Sequence, residues 1–245
     1  MIITPIKTHR ITLKDKDLFK ILDKYILSMP ENSVLAITSK IISLTENRII
    51  SFDKISKKDL VKQESDLFIP ASENKFDVSL SIKNKTLVAS GGIDLSIRNK
   101  YYILWPKNPQ ESANEIRKYL KEKFNLKNFG VVITDSVCTP FRWGATGICI
   151  AWSGFIPFKN YKNPRIYQRF KKANIADGIA SAAVLAMGEG AEKTPIVLLE
   201  DLPMVEFINH NPTEKEINKY KLKMADDVFA PILEKANWKK GGNGK

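Results

Sequence analysis

Residues 34–40 read Val-Leu-Ala-Ile-Thr-Ser-Lys, a short apolar run that ends in three polar side chains. An uninterrupted apolar run of this length is typical of a strand that is buried on both faces. A second stretch, residues 130–136, has the same character and ends in Asp135 and Ser136. Ligand sites in α/β proteins often form where buried strands end, so both stretches predict polar groups delivered to a site.

The sequence around these two stretches alternates between helical and extended patterns. Apolar residues at helical spacing predict helices over residues 18–26, 108–124 and 175–187. Extended patterns predict strands or hairpins over residues 1–6, 78–88 and 195–199. This interleaving predicts a mixed α/β (α+β) fold with mixed sheets and interleaved helices.

The C-terminal part of the sequence is predicted to be a helical extension. Residues 213–216 read Thr-Glu-Lys-Glu, which matches a capping box at the start of a helix. From Gly241 onward we expect a frayed tail, and residues 51–77 are expected to be irregular apart from 67–69. We therefore divide the sequence into a main domain of residues 1–210 and a C-terminal helical extension of residues 211–245.

The composition is that of a basic protein able to fold alone. With 245 residues and 43% hydrophobic content, the chain can bury a sizeable core. The net charge of +12 is compatible with binding to nucleic acid, a membrane surface or small polyanions. Its lysines are scattered along the chain, which is typical of a solvated surface. No apolar run approaches the roughly 20 residues of a membrane span and no secretion signal opens the sequence, so we expect a cytoplasmic protein.

Aromatic residues close to basic ones keep a nucleic-acid-binding protein open as a more distant alternative. Such side chains can stack on bases while lysine and arginine contact phosphates. The aromatic residues concerned are Trp143, Trp152, Tyr161 and Tyr167.

Carboxylates at turns suggest a divalent-metal site. The chain has only two cysteines and two histidines, so it cannot build a four-thiolate zinc site. Asp94, Asp135 and Glu189 each stand at a glycine-rich or polar turn, and such hard oxygen ligands suit Mg²⁺ or Mn²⁺ bound together with substrate phosphates. A turn aspartate more often caps the backbone, so only convergence of the three in space distinguishes a metal site from three caps.

The standard nucleotide-binding motifs are absent from the sequence. Neither G-x-x-x-x-G-K-[ST] nor a G-x-G-x-x-G after a strand occurs. Phosphate donors could instead come from Thr8-His9-Arg10, from Thr38-Ser39-Lys40 and from Arg142, because lysine neutralises a point charge and arginine presents a planar fork. The alternative interpretation of these residues is ordinary surface charge.

Two segments of the sequence stand out as motifs. They are Gly92-Ile93-Asp94-Leu95-Ser96 and Ile133-Thr134-Asp135-Ser136, the second followed by Thr139-Pro140-Phe141-Arg142-Trp143-Gly144. Together they resemble the gamma-glutamyl ligase family of the deazaflavin coenzyme F420. Further similarity covers residues 34–48 and 187–195, so the resemblance includes most of residues 1–207.

The resemblance implies a homodimeric α/β enzyme that binds ATP or GTP and Mg²⁺ or Mn²⁺. The metal ligands would be Asp94, Asp135, Ser136 and Glu189. The nucleotide-binding residues would be Thr8, His9, Arg10, Ile11, Ser39, Lys40, Met187, Gly188, Glu189, Gly190 and Thr194.

The choice of acceptor and nucleotide depends on where the sequence departs from the better-known members. Leu44 and Ile97 stand where those members tend to have lysine and asparagine among the nucleotide contacts. Residues 135–140 and 152–155 look closer to a bacterial branch of folate-metabolism gamma-glutamate ligases. A folate-type acceptor is therefore the prediction and a deazaflavin F420 precursor the alternative, and a related enzyme with a redirected site is a further one.

The expected reaction adds L-glutamate to a carboxylate acceptor by way of an acyl phosphate. Forming an amide from a carboxylate in water is uphill, so a nucleoside triphosphate would first phosphorylate the acceptor. Lys40 and Arg142 are predicted to be catalytic by orienting the transferred group. No residue has a sequence signature for the general base.

Overall fold

A computed structural model describes residues 1–161, 172–242 and 244. Its helices are α1 (Leu18–Tyr25), α2 (Ser39–Thr45), α3 (Lys57–Glu64), α4 (Pro109–Lys123), α5 (Ile175–Met187), α6 (Glu214–Tyr220) and α7 (Ala230–Leu233). Its strands are β1 (Ile2–Ile6), β2 (Ser33–Thr38), β3 (Ile49–Ser51), β4 (Leu67–Ile69), β5 (Leu80–Lys83), β6 (Thr86–Ala89), β7 (Asp94–Ser96), β8 (Tyr101–Ile103), β9 (Phe129–Cys138), β10 (Ala145–Ser153), β11 (Phe158–Asn160), β12 (Lys172–Asn174), β13 (Ile196–Glu200) and β14 (Lys239–Lys240). The predicted mixed α/β fold is confirmed.

The described residues form two compact units. Unit 1 comprises Met1–Asn47, Pro106–Thr139 and Trp143–Thr213. Unit 2 comprises Arg48–Trp105, Pro140–Arg142 and Glu214–Lys245. Residues 214–245 therefore group with residues 48–105, while the predicted boundary after residue 210 stays a prediction.

Unit 1 is built around a sheet with the strand order β1-β13-β2-β9-β10. The central strands β2 and β9 run parallel, from Ser33 opposite Phe129 to Thr38 opposite Thr134. The other neighbours in this sheet pair antiparallel. Residues 34–37 are completely buried, as expected for a strand covered on both faces.

Two helices pack on this sheet. Asn108 caps α4 by accepting a hydrogen bond from the backbone N–H of Glu111, and Pro109 occupies the first turn. The helix α5 packs closely on β10 because its packing face is rich in alanine. A Cβ added at Gly147 of β10 would lie 2.4 Å from the carbonyl oxygen of Ala180, so only glycine permits this approach.

Unit 2 contains two small sheets, with strand orders β14-β4-β5-β6 and β3-β8-β7. The predicted hairpin is confirmed as β5 and β6, joined by Asn84 and Lys85, both at positive φ as a tight hairpin turn requires. Within the unit, the buried carboxylate of Glu64 accepts from Lys83 at 2.6 Å and from Arg48 at 3.2 Å. Burial lowers the pKa of Lys83, and the adjacent Glu64 opposes that shift.

Three elements differ from the sequence-based expectation. The segment 51–77 was expected to be irregular, but it contains α3, which Ser56 caps and which buries Leu60 and Val61. The strand expected to end in Asp135 and Ser136 continues to Cys138, because β10 pairs with it up to that residue. The tail was expected to fray from Gly241, yet the Gly241 and Gly242 N–H groups donate to carbonyl oxygens of Asp66 and Lys62.

No helix within residues 1–161, 172–242 and 244 is long and apolar enough to cross a lipid bilayer.

Replacing Gly147 with alanine is expected to lower the free energy of unfolding by roughly 1–3 kcal/mol, because the new Cβ would push β10 away from α5. Gly178 of α5 is the matched control, because a Cβ there meets no described atom within 4 Å. Gly178→Ala is expected to stabilise the protein by up to about 1 kcal/mol, since alanine is the better helix former. Urea unfolding of both variants measures the difference, and equal effects of the same sign would contradict the packing argument.

Candidate functional site

The strand β9 loses one neighbour just where its polar residues begin. The parallel pairing with β2 ends at Thr38 opposite Thr134, while β9 continues to Cys138. In the described residues, Asp135 and Ser136 therefore pair with β10 alone. Both are half-buried, so their polar groups remain within reach of solvent and of a ligand.

Glu189 meets the end of β9. The Ser136 hydroxyl donates a 2.7 Å hydrogen bond to Oε1 of Glu189, although the two residues lie 53 positions apart in sequence. Glu189 lies just after the C-terminus of α5 and is exposed to solvent. Two of the predicted metal ligands, Ser136 and Glu189, are thus brought into direct contact.

The loop after α5 is closed on itself. The Thr194 hydroxyl donates to the carbonyl oxygen of Met187 at 2.6 Å, and the Gly190 N–H donates to Oε2 of Glu192 at 2.8 Å. Gly188 has φ 75°, a conformation that favours glycine, and a Cβ there would lie 2.5 Å from the Glu192 carboxyl carbon. These contacts give the predicted nucleotide-binding residues of this loop a defined shape.

Backbone hydrogen bonds join this loop to the other predicted nucleotide segments. The Thr8 N–H donates to the carbonyl oxygen of Lys193 at 2.8 Å, and the Thr38 N–H donates to that of Pro195 at 3.0 Å. Ser39 and Lys40 follow Thr38 directly and begin α2, with Ser39 buried and Lys40 exposed. The three segments that the resemblance assigned to the nucleotide therefore come together within unit 1.

Sequence reasoning missed the partners of His9. Its two ring nitrogens lie within hydrogen-bonding distance of Asp15 and of the Tyr25 hydroxyl. Asp15 and Tyr25 carry no motif, and the only signal was that the chain has just two histidines, one of them in a predicted nucleotide segment.

Asp94 and Arg142 belong to unit 2. Asp94 begins β7 opposite Ile103. Burial lowers the pKa of the neighbouring Lys57, and the negative charge of Asp94 opposes that shift. Arg142 is exposed on the loop between β9 and β10, where its Nη1 donates to the carbonyl oxygen of Phe141. Their predicted roles as metal ligand and catalytic residue stay predictions.

The donor set at the end of β9 suits a hard divalent cation. Asp135, Ser136 and Glu189 offer carboxylate and hydroxyl oxygens, which Mg²⁺ and Mn²⁺ prefer. Among the described residues no group of three or more His, Cys, Asp or Glu side chains is arranged to hold a metal ion. A magnesium site needs only one or two carboxylates when substrate phosphates complete the shell, so the contacting pair Ser136 and Glu189 is compatible with such a site.

The structure removes one of the four aromatic residues on which the nucleic-acid alternative rests. Trp152 is 1% exposed and lies in the core of unit 1, so it cannot stack on a base. Trp143 is 94% exposed and Tyr161 is 46% exposed, while Tyr167 lies outside the described residues.

Comparison with known proteins identifies relatives over most of the chain. A family model described as F420-0:gamma-glutamyl ligase matches residues 5–201. A coenzyme F420:L-glutamate ligase of Methanococcus maripaludis is 33% identical over 226 residues, which are 89% of this chain and 86% of the relative. The coenzyme F420:L-glutamate ligase of Methanocaldococcus jannaschii is 33% identical over 190 residues, 69% of this chain and 75% of the relative. That of Methanosarcina mazei is 27% identical over 199 residues, covering 72% and 76%.

Replacing Thr194 with valine removes the hydroxyl that ties the loop to Met187 but keeps the side-chain shape. We expect a loss of about 1 kcal/mol of local stability and faster hydrogen exchange of the Thr8 amide, whose acceptor is the adjacent Lys193. Thr146→Val is the matched control, because Thr146 donates to Ser181 elsewhere in unit 1. Unchanged exchange of the Thr8 amide in the Thr194 variant would show that the loop is not held by this bond.

Proposed function

The chain belongs to the F420-0:gamma-glutamyl ligase family, and we propose that it joins L-glutamate through an amide bond to a deazaflavin acceptor of the F420 type. The observation that carries the proposal is the family match over residues 5–201 together with 33% identity to a relative over 89% of the chain. The contact between Ser136 and Glu189 supports it, because both were assigned to the same metal site from the resemblance alone.

The comparisons change which acceptor substrate is preferred. A folate-type acceptor was predicted from residues 135–140 and 152–155, with the deazaflavin precursor as the alternative. The relatives described above are coenzyme F420:L-glutamate ligases, so the deazaflavin acceptor is the better supported of the two. The folate-type acceptor is the second candidate in the same experiment.

We further propose that ATP or GTP drives the reaction. The acceptor carboxylate attacks the γ-phosphorus, the nucleoside diphosphate leaves, and an acyl phosphate forms. The neutral amine of L-glutamate then attacks the acyl carbon, inorganic phosphate leaves, and the amide remains after the nitrogen gives up a proton. Lys40 would neutralise charge on the transferred phosphate and Arg142 would orient it, since ammonium and guanidinium groups do so in other phosphoryl-transfer enzymes.

The proposed metal ligands at the end of β9 are Asp135, Ser136 and Glu189, and Asp94 is carried over from the resemblance. A bound Mg²⁺ or Mn²⁺ would reduce the repulsion between phosphate and carboxylate, which are both anionic. Ser136 holds Glu189 by a hydrogen bond and thereby keeps the carboxylate at the open edge of β9.

A homodimer is proposed from the family alone, and sedimentation of the purified protein at several concentrations tests it.

The decisive experiment incubates the pure protein with Mg²⁺ or Mn²⁺, ATP or GTP, isotope-labelled L-glutamate and a panel of acceptors. The panel contains a deazaflavin F420 precursor, a folate and a pterin without a carboxylate. We expect the mass of only the deazaflavin to increase by one or more glutamyl residues, and only with nucleotide and metal present. Glutamylation of the folate alone would establish the second candidate, and no product with any acceptor would overturn the proposal.

Asp135→Asn and Glu189→Gln are expected to lower kcat on the order of 100-fold, because each removes a negative oxygen ligand from the metal. Glu206→Gln is the matched control, since this exposed carboxylate lies in the same unit but outside the loop after α5. Asp94→Ala tests the assignment made from resemblance alone. Full ligase activity in the Asp135 and Glu189 variants, at saturating metal, would exclude these residues from the reaction.

A further inference from the structure

The segment between β1 and α1 is held by side chains rather than by regular secondary structure. Residues 7–17 belong to no helix or strand, so their backbone groups need other partners. The backbone N–H of His9 donates to the Tyr25 hydroxyl at 2.8 Å, and Tyr25 is the last residue of α1. The backbone N–H of Thr12 donates to Oδ2 of Asp15 at 2.8 Å.

The imidazole of His9 links the Tyr25 hydroxyl and the Asp15 carboxylate into one hydrogen-bond network. Its Nε2 lies 2.8 Å from Oδ1 of Asp15, and its Nδ1 lies 2.6 Å from the Tyr25 hydroxyl. One tautomer satisfies all three groups: Nε2–H donates to Asp15, while Nδ1 accepts from the Tyr25 hydroxyl. The oxygen of that hydroxyl then accepts from the His9 backbone. The imidazole ring also stacks on the Tyr25 ring, with a centroid distance of 5.7 Å.

The charge of Asp15 suits this arrangement. Burial acts to raise its pKa, but hydrogen bonds from Thr12 and His9 outweigh burial and hold the pKa below the ordinary value of 3.8. Because the pKa of Asp15 is lower in the folded than in the unfolded protein, its ionised carboxylate stabilises the folded state when the pH is above the unfolded-state pKa. That stabilisation is lost as the pH falls through the folded-state pKa. Asp15 is therefore ionised at neutral pH, as its role as a hydrogen-bond acceptor requires.

We propose that Asp15 and Tyr25 are positioning residues that hold His9 and the backbone of residues 8–11 in the conformation that receives a nucleoside triphosphate. This inference rests on the proposed function. Both ring nitrogens of His9 are engaged, so the imidazole acts through its fixed position rather than as a free base. The Thr8 N–H, bound to Lys193, connects the same segment to the loop that carries Glu189.

The test compares Tyr25→Phe with Tyr119→Phe. Phenylalanine at position 25 keeps the aromatic ring but leaves the His9 N–H and Nδ1 without their partner. The control removes the hydroxyl of Tyr119, which donates to Asp23 of the same helix α1 at 2.5 Å. Only Tyr25→Phe is expected to raise the KM for the nucleotide, about five- to tenfold, with kcat and the KM for glutamate unchanged. A nucleotide KM within twofold of the wild type would overturn the inference.

A second variant covers the case in which Tyr25→Phe does not fold. In the wild type, His9 Nε2–H and the Thr12 N–H donate to different oxygens of Asp15, and Asp15→Asn replaces one of these oxygens with an NH2 donor. One of the two N–H groups therefore faces a donor and loses its acceptor. We expect weaker binding of a fluorescent ATP or GTP analogue and faster exchange of the Thr12 amide. Normal binding by this variant would contradict the inference. A wild-type protein that neither binds nor uses a nucleotide would overturn the proposed function, whereas normal binding by the variants alone would overturn only the positioning role.

Discussion

The parallel pairing of β2 with β9 is the constraint on which the candidate site depends. Both strands are buried, and their register places Thr38 opposite Thr134. Because β2 stops there while β9 continues, Ser39 and Lys40 follow the end of β2, and Asp135 and Ser136 lie in the part of β9 that extends past it. Both faces of β2 are buried, so a one-residue register shift would exchange the side chains packed on the two faces and disrupt the core. The packing of residues 34–37 therefore fixes the register, and with it which polar residues stand at the strand ends.

Hydrogen bonds between segments that are distant in the sequence hold the parts of the candidate site together. The loop after α5 reaches β9 through Glu189 and Ser136, β2 through Pro195 and Thr38, and the segment after β1 through Lys193 and Thr8. Segments without regular structure need such partners, because an unpaired buried backbone group costs free energy. The result is a polar edge whose groups are held in place before any ligand binds, which lowers the entropic cost of binding.

The elements with strong periodicity could be predicted from the sequence, and those defined by tertiary pairing could not. The small-residue helix was predicted over residues 175–187, the observed bounds of α5. The strand β10 was missed because glycine, threonine and cysteine interrupt its apolar pattern, and its partner β9 supplies the regularity. The polar ends of the two buried strands were predictable from the sequence, but the bond between Ser136 and Glu189 spans 53 residues and follows only from the packing of α5 on the sheet.

We propose that the open end of β9 and the loop after α5 hold a divalent cation. A crystal structure of the protein grown with Mn²⁺ and a non-hydrolysable triphosphate, with anomalous difference maps measured at the manganese edge, tests it most directly. We predict an anomalous peak about 2–2.3 Å from carboxylate oxygens of Asp135 and Glu189, with nucleotide phosphate oxygens completing the coordination. A manganese peak bound only elsewhere, with the Ser136–Glu189 hydrogen bond intact and the nucleotide in place, would contradict the account.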